Sequence, residues 1–479
     1  MVVGEMTEHA DVAVIGSGPG GYVAAIRAGQ LGKNVILIEK DPNGLGGICL
    51  HHGCIPSKAL IHTANLFWEA THAKEQGIFI STATIDMEQT QSFKEKVVAQ
   101  LTNGIKLLCE KAGVDIVYGN AYFRDSKTLH VEMAHDTMTL TADNIIIATG
   151  AKEREHPRVK VDNERIISST EILGLKKIPS TLAVIGSGYI AMEMAHTFQK
   201  FGSQVTIIHR SPTILNHLDP QVGEMKTKLL QKLGVSFLPG VDVMSSEING
   251  NSVVLRLQSK DGKSDAKTFE QVLVAIGRDP LTQGLSLENT KVKVDEQGFI
   301  LVDERCYTSD SSILAIGDVT GEPQLAHRAM YMGKIAGEVC AGLSSAYNAT
   351  VCPAVMYSDP EVAWVGIQSN EAQKAGRSIL SGKFPFSANG RALGANQPDG
   401  YVQLNADPLS HVILGGIIVG EHASDMISQI GFAIEMGARL EDMAGTIHPH
   451  PTFDEAILEA ADDALGKCVH LPFRKKKNV

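Results

Sequence analysis

Residues 12–21 read VAVIGSGPGG, and after an intervening helical segment residues 35–39 read VILIE. A strand, a glycine turn, a helix and a second strand that ends in an acid follow one another in a dinucleotide-binding unit. The terminal acid, Glu39, can accept hydrogen bonds from ribose hydroxyls. The stretch therefore predicts a Rossmann-like α/β domain.

Three glycines carry the signal in this unit. Gly16 permits the tight turn, Gly18 lets a pyrophosphate approach the backbone, and Gly21 lets the helix pack on the strand. One such pattern is a weak signal, but the chain repeats it: residues 182–191 read LAVIGSGYIA and residues 205–208 read VTII. Two units, each framed by strands and a helix, predict that the chain binds two nucleotides.

The second unit departs from the first at two places. Gly186 and Gly188 keep the first two glycines, but Ala191 replaces the third. Where an NAD-binding unit ends its second strand in an acid, this unit has His209 and Arg210. Because a basic pair can meet the 2′-phosphate of NADP, the sequence leaves NADP open beside NAD.

Apolar runs that end at Gly150 and at Gly277 flank the second unit, as expected where a chain passes between domains. The second unit is therefore predicted to be an insertion into the first. From about residue 351 strand-like alternation with helices predicts an α+β domain. The predicted fold class is α/β, with two Rossmann-like dinucleotide-binding domains and a C-terminal α+β domain. The predicted domains are residues 1–150 with 278–350 for the first nucleotide, 151–277 for the second, and 351–479 for the C-terminal domain.

Two cysteines, Cys49 and Cys54, lie in residues 44–60, GLGGICLHHGCIPSKAL, directly after the first unit. Thiols this close together beside a nucleotide can exchange electrons with it as a dithiol and a disulfide. The alternative is a fixed disulfide that only stabilises the fold. His51 and His52 lie between the cysteines; if charged they could lower a thiol pKa, and otherwise they pack or face solvent.

The GGxCxxxGCxPSK pattern of this run resembles the redox-active disulfide of the pyridine nucleotide-disulfide oxidoreductases, and further motifs along nearly the whole chain appear in that family's order. The resemblance implies FAD in the first unit and a nicotinamide cofactor in the second. It also implies that the C-terminal domain is a dimerisation domain and that the protein is a homodimer. Within the family the chain is most similar to members that reoxidise dihydrolipoyl groups.

By the same resemblance, Cys49 is the outward thiol that exchanges with the substrate disulfide, and Cys54 is the inner thiol that faces the flavin. Lys58 lies one turn beyond Cys54 on the same predicted helix. The family places this lysine beside the flavin ring, paired with a glutamate that Glu193 matches. A buried lysine needs such a partner; the alternative is a surface lysine.

The acid–base group is implied by residues 448–455, HPHPTFDE, which resemble the family's HPTxxE signature. His450 would accept the thiol proton, and Glu455 would orient its ring and stabilise its charged form. Because the family works as a dimer, this pair would serve the disulfide of the partner subunit. His448, two residues earlier, is predicted only to pack.

Two further residues are assigned to the flavin by the resemblance. Asp318, in the run SILAIGD, matches the aspartate that binds the flavin ribitol, although it could also be a simple turn residue. Ala326 begins a helix whose amino end the family places at the flavin carbonyl edge, where the helix dipole stabilises negative charge. The predicted cofactor-binding residues as a set are Gly16, Gly18, Gly21, Glu39, Lys58, Gly150, Gly186, Gly188, Tyr189, His209, Arg210, Gly277, Asp318 and Ala326.

Composition excludes several classes of function. The net charge is −11, which argues against nucleic-acid binding, and no apolar run is long enough to span a bilayer. The first unit begins close to Met1 and leaves no room for a signal peptide, and the other five cysteines are scattered, so a cytoplasmic protein is expected. The cysteine pair has no second pair or histidine set near it, so no metal site is expected.

Together these features predict a flavoprotein that reoxidises dihydrolipoyl groups of a 2-oxo acid dehydrogenase complex and passes hydride to NAD. Its partner would be the lipoyl domain of the acyltransferase component. The first alternative is an NADPH-dependent disulfide reductase that acts on glutathione or mercuric ion. The second is a catalytically silent flavoprotein, which the joint presence of Cys49, Cys54, His450 and Glu455 argues against.

Overall fold

Two sheets, one for each glycine-rich unit, form the framework of the molecule in the computed structural model, which describes residues 6–472. The second sheet is parallel throughout, and the first is parallel except for the antiparallel pairs of its fourth, fifth and sixth strands. The central strands are nearly continuous runs of valine and isoleucine because helices and loops cover both faces of each sheet. Val12, Val14, Leu37 and Ile146 are fully buried in the first sheet. The glycine turns lie at the carboxyl ends of these strands, where α/β sheets bind their ligands.

The first sheet has seven strands. They are β1 (Met6–Ile15), β2 (Val35–Glu39), β3 (Val114–Tyr118), β4 (Asn120–Asp125), β5 (Thr128–Glu132), β6 (Thr137–Ile147) and, much later in the chain, β17 (Ile313–Ala315). Their order is β3-β2-β1-β6-β5-β4, with β17 also paired to β6. Ile313 lies opposite Ile145 in a parallel pair, so the chain re-enters the first sheet after completing the second unit.

The second unit has a five-stranded parallel sheet in the order β11-β10-β9-β15-β8. Beside it lie a three-stranded antiparallel sheet, β12-β13-β14, and a two-stranded ribbon, β16-β7. The strands are β7 (Ala151–Glu153), β8 (Ile166–Ile167), β9 (Thr181–Ile185), β10 (Gln204–His209), β11 (Ser236–Pro239), β12 (Val241–Asn249), β13 (Ser252–Ser259), β14 (Ser264–Phe269), β15 (Gln271–Val274) and β16 (Arg278–Pro280).

The helices of the two nucleotide-binding units begin and end at recognisable signals. Pro19 and Pro220 occupy the first turns of α1 and α6, and the Asp86 carboxylate caps α4. The helices are α1 (Pro19–Gln30), α2 (Gly47–His52), α3 (Cys54–His72), α4 (Met87–Lys111), α5 (Tyr189–Phe201), α6 (Pro220–Lys232) and α7 (Ala326–Cys340). A Cβ at Gly333 of α7 would lie 2.3 Å from the Gly20 carbonyl oxygen, so glycine lets α7 press directly onto α1.

The C-terminal part forms a five-stranded antiparallel sheet in the order β18-β19-β22-β21-β20, covered by helices. The alternation seen at residues 402–405 and 412–419 falls on β21 and β22. The elements are β18 (Ala354–Met356), β19 (Val362–Gly366), α8 (Ser369–Lys374), β20 (Leu380–Pro385), α9 (Gly390–Gly394), β21 (Tyr401–Ala406), β22 (Ile413–Val419), α10 (Ala423–Glu435), α11 (Leu440–Gly445) and α12 (Glu455–Leu465). The predicted mixed α/β fold with a C-terminal α+β sheet is thus confirmed. Between residues 6 and 472, no helix combines the length and apolarity that crossing a bilayer requires.

Candidate active site

A single cavity runs from the end of β2 past the first glycine turn to the cysteines and on to the second unit. The predicted residues that line it are Gly16, Gly18, Glu39, Cys49, Cys54, Lys58, Gly150, Tyr189, Glu193, Asp318 and Ala326. The predicted residues outside its lining are Gly21, Gly186, Gly188, His209, Arg210, Gly277, His450 and Glu455. The cavity therefore joins one nucleotide site to a pair of thiols.

The nucleotide end of the cavity is organised by Glu39. Its carboxylate accepts hydrogen bonds from the Ser17 backbone N–H at 2.9 Å, from the Ser17 hydroxyl, and from the Asp41 N–H at 2.8 Å. Glu39 is only 5% exposed, so these donors hold the charge where a buried carboxylate would otherwise be costly. Glu39 lines the cavity, and ribose hydroxyls can donate to its remaining lone pairs.

The residues that line the cavity have the chemistry that FAD requires. A Cβ at Gly18 or at Gly150 would meet no described atom within 4 Å, which leaves bare backbone open toward the cavity. The Gly18 end suits a pyrophosphate at the amino end of α1. Asp318 presents a carboxylate whose pKa is raised by burial, although Arg278 and Arg328 partly offset this, and such a group suits a polyol chain. The amino end of α7, at Ala326, lines the same cavity.

The two cysteines lie on different helices. Cys49 belongs to α2 and Cys54 begins α3, with Gly53 between them in an irregular conformation. The two cysteines are therefore joined through a break between two helices and not by one continuous helical turn. A Cβ at Gly53 would lie 3.0 Å from the Ile48 carbonyl oxygen, so the tight junction favours glycine.

The structure describes the cysteines as thiols, and the two differ in acidity. A hydrogen bond from the Cys49 thiol lowers the pKa of Cys54 to about 7; burial opposes this and the Lys58 ammonium assists it. The same hydrogen bond, together with burial, raises the pKa of Cys49. Near neutral pH Cys54 is therefore the thiol that ionises, whereas Cys49 needs a base to lose its proton.

Lys58 is positioned by two groups. Its Nζ donates to Glu193 Oε2 at 3.0 Å and lies 4.6 Å from the centroid of the Tyr357 ring. Burial alone would lower the pKa of Lys58, but the negative charges of Glu193 and Cys54 raise it above its usual value. Glu193, which is 2% exposed, also accepts the Tyr357 backbone N–H at 2.9 Å on its other oxygen. Lys58 is thus a fixed cation in the cavity wall.

His51 and His52 have polar partners other than the thiols. His51 Nε2 lies 3.0 Å from the Leu45 carbonyl oxygen, and His52 Nε2 lies 3.7 Å from Asp41. The groups that set the thiol pKa values are the cysteines themselves, burial, Lys58 and Glu193. The suggestion that these imidazoles tune the thiols therefore finds no support in this geometry.

The second glycine turn forms a separate site at the carboxyl end of its own sheet. A Cβ at Gly188 would meet no described atom within 4 Å, so its backbone is open to a pyrophosphate. Arg210 is exposed. His209 is only 5% exposed, its Nδ1 lies 3.2 Å from the Ser211 hydroxyl, and burial lowers its pKa. Of the expected basic pair, Arg210 can reach a ligand, whereas His209 is a neutral side chain turned into the protein.

The His450–Glu455 pair lies at the start of α12. His450 Nδ1 lies 2.8 Å from Glu455 Oε1, and the other carboxylate oxygen accepts the Thr452 N–H at 2.9 Å. The His450 side chain is 78% exposed, so its ring is held by the glutamate and open to solvent. His448 is tied to the Thr446 carbonyl and to Gln429. These contacts leave His450 as the histidine that can act as a base on another molecule.

Three residues at the site were missed by the sequence reasoning. Ser17 lies inside the first glycine motif, and its hydroxyl donates to Glu39. Its position in the motif was a signal that could have identified it. Arg278 lines the cavity and follows the Gly277 run. Tyr357 had no signal, because its role comes from a backbone N–H that tertiary packing places beside Glu193.

One group among residues 6–472 brings potential metal ligands together: His9, Asp11 and Asp143, with ligand atoms within 4.8 Å of one another. His9 already contacts Thr141, and Asp11 accepts the Asn34 N–H. These residues lie on the early part of β1 and on β6, whereas the cavity opens at the other end of β1. They have no place in the site described above.

A cavity that combines a glycine-rich nucleotide-binding turn with a pair of thiols is typical of a flavin-dependent disulfide oxidoreductase. Residues 10–333 match the pyridine nucleotide-disulphide oxidoreductase family, and residues 352–461 match the dimerisation domain of that family. The chain belongs to this family.

Several similar proteins span nearly the same length. Dihydrolipoyl dehydrogenase of Geobacillus stearothermophilus is 43% identical over 471 residues, which cover 98% of this chain and 99% of that one. Dihydrolipoyl dehydrogenase 2 of Haloarcula marismortui is 41% identical over 473 residues, with 98% and 100% covered. Among solved structures, LpdA of Mycobacterium tuberculosis has a TM-score of 0.87 at 25% identity, with 95% of this chain and 99% of that one covered. The HOCl-induced flavoprotein disulfide reductase RclA of Escherichia coli has a TM-score of 0.84 at 25% identity, with 94% and 99% covered.

Proposed function

We propose that this protein is a dihydrolipoyl dehydrogenase: a homodimeric FAD enzyme that oxidises dihydrolipoyl groups of a 2-oxo acid dehydrogenase complex and reduces NAD. The observation that carries the proposal is the Cys49–Cys54 pair in the wall of the cavity that also contains Glu39 and Asp318. Full-length relatives at about 40% identity that bear this name support it. It is an oxidoreductase acting on a sulfur group of the donor.

The thiol chemistry follows from the acidities. With the cysteines oxidised, a dihydrolipoyl thiolate attacks Cys49 sulfur, forms a mixed disulfide and displaces Cys54 as a thiolate. The second lipoyl thiol then gives its proton to a base, and its sulfur attacks the first lipoyl sulfur, which closes the lipoyl disulfide and expels Cys49 as a thiolate. Cys49 takes up that proton from the base. Two electrons and the proton on Cys49 now belong to the enzyme. Bound FAD supplies the two-electron relay from this dithiol to the nicotinamide cofactor.

The remaining residues manage charge and protons. Lys58 stabilises the Cys54 thiolate, which leaves more easily because its pKa is low. A base is needed to take protons from the lipoyl thiols, and His450 has the exposed ring and the carboxylate partner for that task. Because the His450–Glu455 pair lies outside the cavity lining of its own chain, we assign it to the cavity of the partner subunit. The match of residues 352–461 to a dimerisation domain supports this arrangement.

For the second substrate we propose NAD as the main acceptor, with NADP also used because of Arg210. The natural donor is the lipoyl domain of the acyltransferase component of the complex. We expect the enzyme to work in the cytoplasm, where dispersed thiols such as Cys109 and Cys306 stay reduced. The second candidate, an NADPH-dependent disulfide reductase, is favoured only by the exposed Arg210 directly after β10.

The deciding experiment is a steady-state assay of the FAD-loaded protein with dihydrolipoamide and either NAD or NADP, next to NADPH with oxidised glutathione. Turnover of dihydrolipoamide is expected, with little or none of glutathione.

The dithiol is tested by two variants. Cys49→Ser and Cys54→Ser should each abolish the oxidation of dihydrolipoamide. Cys49→Ser should still show the long-wavelength absorbance of a thiolate against oxidised flavin, since Cys54 then has no disulfide partner, whereas Cys54→Ser should lack it. Wild-type turnover in either variant would contradict the dithiol assignment.

The base is tested by a neighbouring control. His450→Gln should slow dihydrolipoamide oxidation by about 100- to 10,000-fold, the usual cost of removing a positioned base. Reduction of the flavin by NADH in a rapid-mixing experiment should change much less. His448→Gln should have a mild effect, because that ring is tied to Thr446 and Gln429. The reverse ranking of the two variants would show that His448 is the base.

A further inference from the structure

A second set of buried charges lies two helical turns from the Lys58–Glu193 pair. Lys200 of α5 is 2% exposed, and its Nζ donates to Asp359 Oδ2 and, at 3.0 Å, to Asn65 Oδ1 of α3. Lys226 of α6 has no exposed surface, and its Nζ donates to the carbonyl oxygens of Asp359 and Pro360 at 3.1 and 2.9 Å. None of these side chains lines the cavity, so the proposed reaction does not use them directly.

This arrangement is costly to build. Burial lowers the pKa of Lys226 to about 7. His196 is 1% exposed, its Nδ1 has no partner among the described residues, and burial together with Lys200 holds its pKa far below the usual value. Glu421 is a further neighbour, since Asp359 adds to the burial that raises its pKa. Asp359 is the anion that both lysines share, and stability alone gives little reason to keep such a group.

The geometry links this cluster to the flavin lysine. Lys58 and Asn65 are seven residues apart on α3, and Glu193 and Lys200 are seven apart on α5, so each pair lies on one helix face at the same spacing. Lys58 bonds to Glu193, and Asn65 bonds to Lys200. The two helices are therefore joined by two rungs in the same register.

A third segment of the chain connects the two rungs. The segment 357–359 gives its Tyr357 N–H to Glu193 on the first rung and its Asp359 carboxylate to Lys200 on the second. Lys226 holds the same segment from the other side through two carbonyls. Since α3 also carries Cys54, a displacement of this segment would reach Glu193, Lys58 and then the thiolate.

We propose that Asp359 and Lys200 are positioning residues for the redox site: they hold the 357–359 segment so that Tyr357 fixes Glu193, and Glu193 in turn fixes the Lys58 ammonium beside the thiol pair. The inference rests on the proposed function, because the position of Lys58 matters only if the thiols exchange electrons with a bound flavin. It assigns a role at a distance to two residues that touch neither substrate nor cofactor.

The test measures the ionisation of the Cys54 thiol rather than enzyme turnover. FAD-loaded wild type is reduced by two electrons, and its long-wavelength thiolate–flavin absorbance is titrated with pH. Asp359→Asn should raise the midpoint of this titration by about one pH unit, because a less fixed Lys58 stabilises the Cys54 thiolate less. Glu338→Gln is the matched control: it neutralises a carboxylate bound to Arg27 between α1 and α7, away from the two rungs, and should leave the midpoint in place.

A double-mutant cycle separates positioning from a general loss of stability. If Asp359 acts through Glu193, adding Asp359→Asn to Glu193→Gln should change the midpoint no further, whereas independent effects would add. Additive shifts, or an unchanged midpoint in Asp359→Asn, would overturn the inference.

If Asp359→Asn does not fold, Asn65→Ala is the second variant. It removes one hydrogen bond of the second rung and should shift the midpoint in the same direction by less; no shift there would also overturn the inference. A wild type that gives no such absorbance would refute the proposed function itself, which distinguishes the two failures.

Discussion

The two glycine-rich units begin alike and end differently. In the first, the Gly16 N–H donates to the Ile38 carbonyl at 2.8 Å; in the second, the Gly186 N–H donates to the Ile208 carbonyl at 3.0 Å. The same number of residues then separates each glycine from the residue that ends the second strand, which is Glu39 in one unit and His209 in the other. The turn hydrogen bond and the spacing are the same in the two units, so the difference in nucleotide chemistry lies in the side chains.

At Glu39 a buried carboxylate is held by Ser17 and by the Asp41 N–H. At the equivalent place in the second unit, His209 and Ser211 bond to each other, and the Ser211 hydroxyl also donates to the Thr213 carbonyl at 2.7 Å. The first unit therefore presents negative charge to a ribose, and the second presents a neutral surface next to the exposed Arg210. A dinucleotide with a 2′-phosphate would be repelled by the first unit and tolerated by the second.

The largest expected effect on stability and FAD binding comes from the third position of the glycine motif, which is Gly21 in the first unit and Ala191 in the second. A Cβ at Gly21 would lie 1.8 Å from the Gly16 carbonyl oxygen, which is backbone and cannot move aside cheaply. We therefore expect Gly21→Ala to cost about 3 kcal/mol or more and to abolish FAD binding. Flavin absorbance of the purified protein and its Tm would measure both effects.

The control for this prediction is the second unit, which already has Ala191 at the matching place and buries it fully. Ala191→Gly should leave FAD content unchanged and lower stability by roughly 1 kcal/mol, because glycine is less favourable than alanine inside a helix. If Gly21→Ala retained FAD as well as Ala191→Gly does, the two helices would not differ in their approach to the glycine turn.

A smaller effect is expected at the acid. Glu39→Gln keeps the shape of the side chain but removes the charge that the Ser17 and Asp41 donors hold. Hydrogen bonds to charged groups contribute about 1.5–3 kcal/mol, so FAD should bind roughly 10- to 100-fold more weakly. Titration of the apoprotein with FAD, followed by flavin fluorescence, measures the Kd. His209→Gln is the matched change in the second unit and should leave the Kd for FAD as it is; equal losses in both variants would indicate general destabilisation.

Much of this comparison was accessible from the sequence, and the part that was not has a physical reason. Local motifs were sufficient for the glycine turns and Glu39, because each is built within one short strand–turn–helix stretch. The Lys58–Glu193 contact spans 135 positions and was expected only through family resemblance. The burial of His209 and the contacts of Tyr357 and Asp359 depend on how distant segments pack, and a single strand pattern carries no sign of that.

The smallest of the three effects is on cofactor selectivity and concerns Arg210. It tests whether the absence of an acid at the end of the second unit's second strand lets the enzyme use NADP. Arg210→Glu should lower kcat/KM for NADP by about tenfold or more, since a charge-assisted bond to the 2′-phosphate is replaced by repulsion. The value for NAD should fall less than about threefold, because NAD has a hydroxyl there that a glutamate can accept from. Arg256→Glu, an exposed change of equal charge on β13, is the control for long-range electrostatics and should affect both cofactors little. Equal losses for NADP and NAD in Arg210→Glu would mean that Arg210 does not face the 2′ position, and the two units would then differ in their acid without differing in the nucleotide they select.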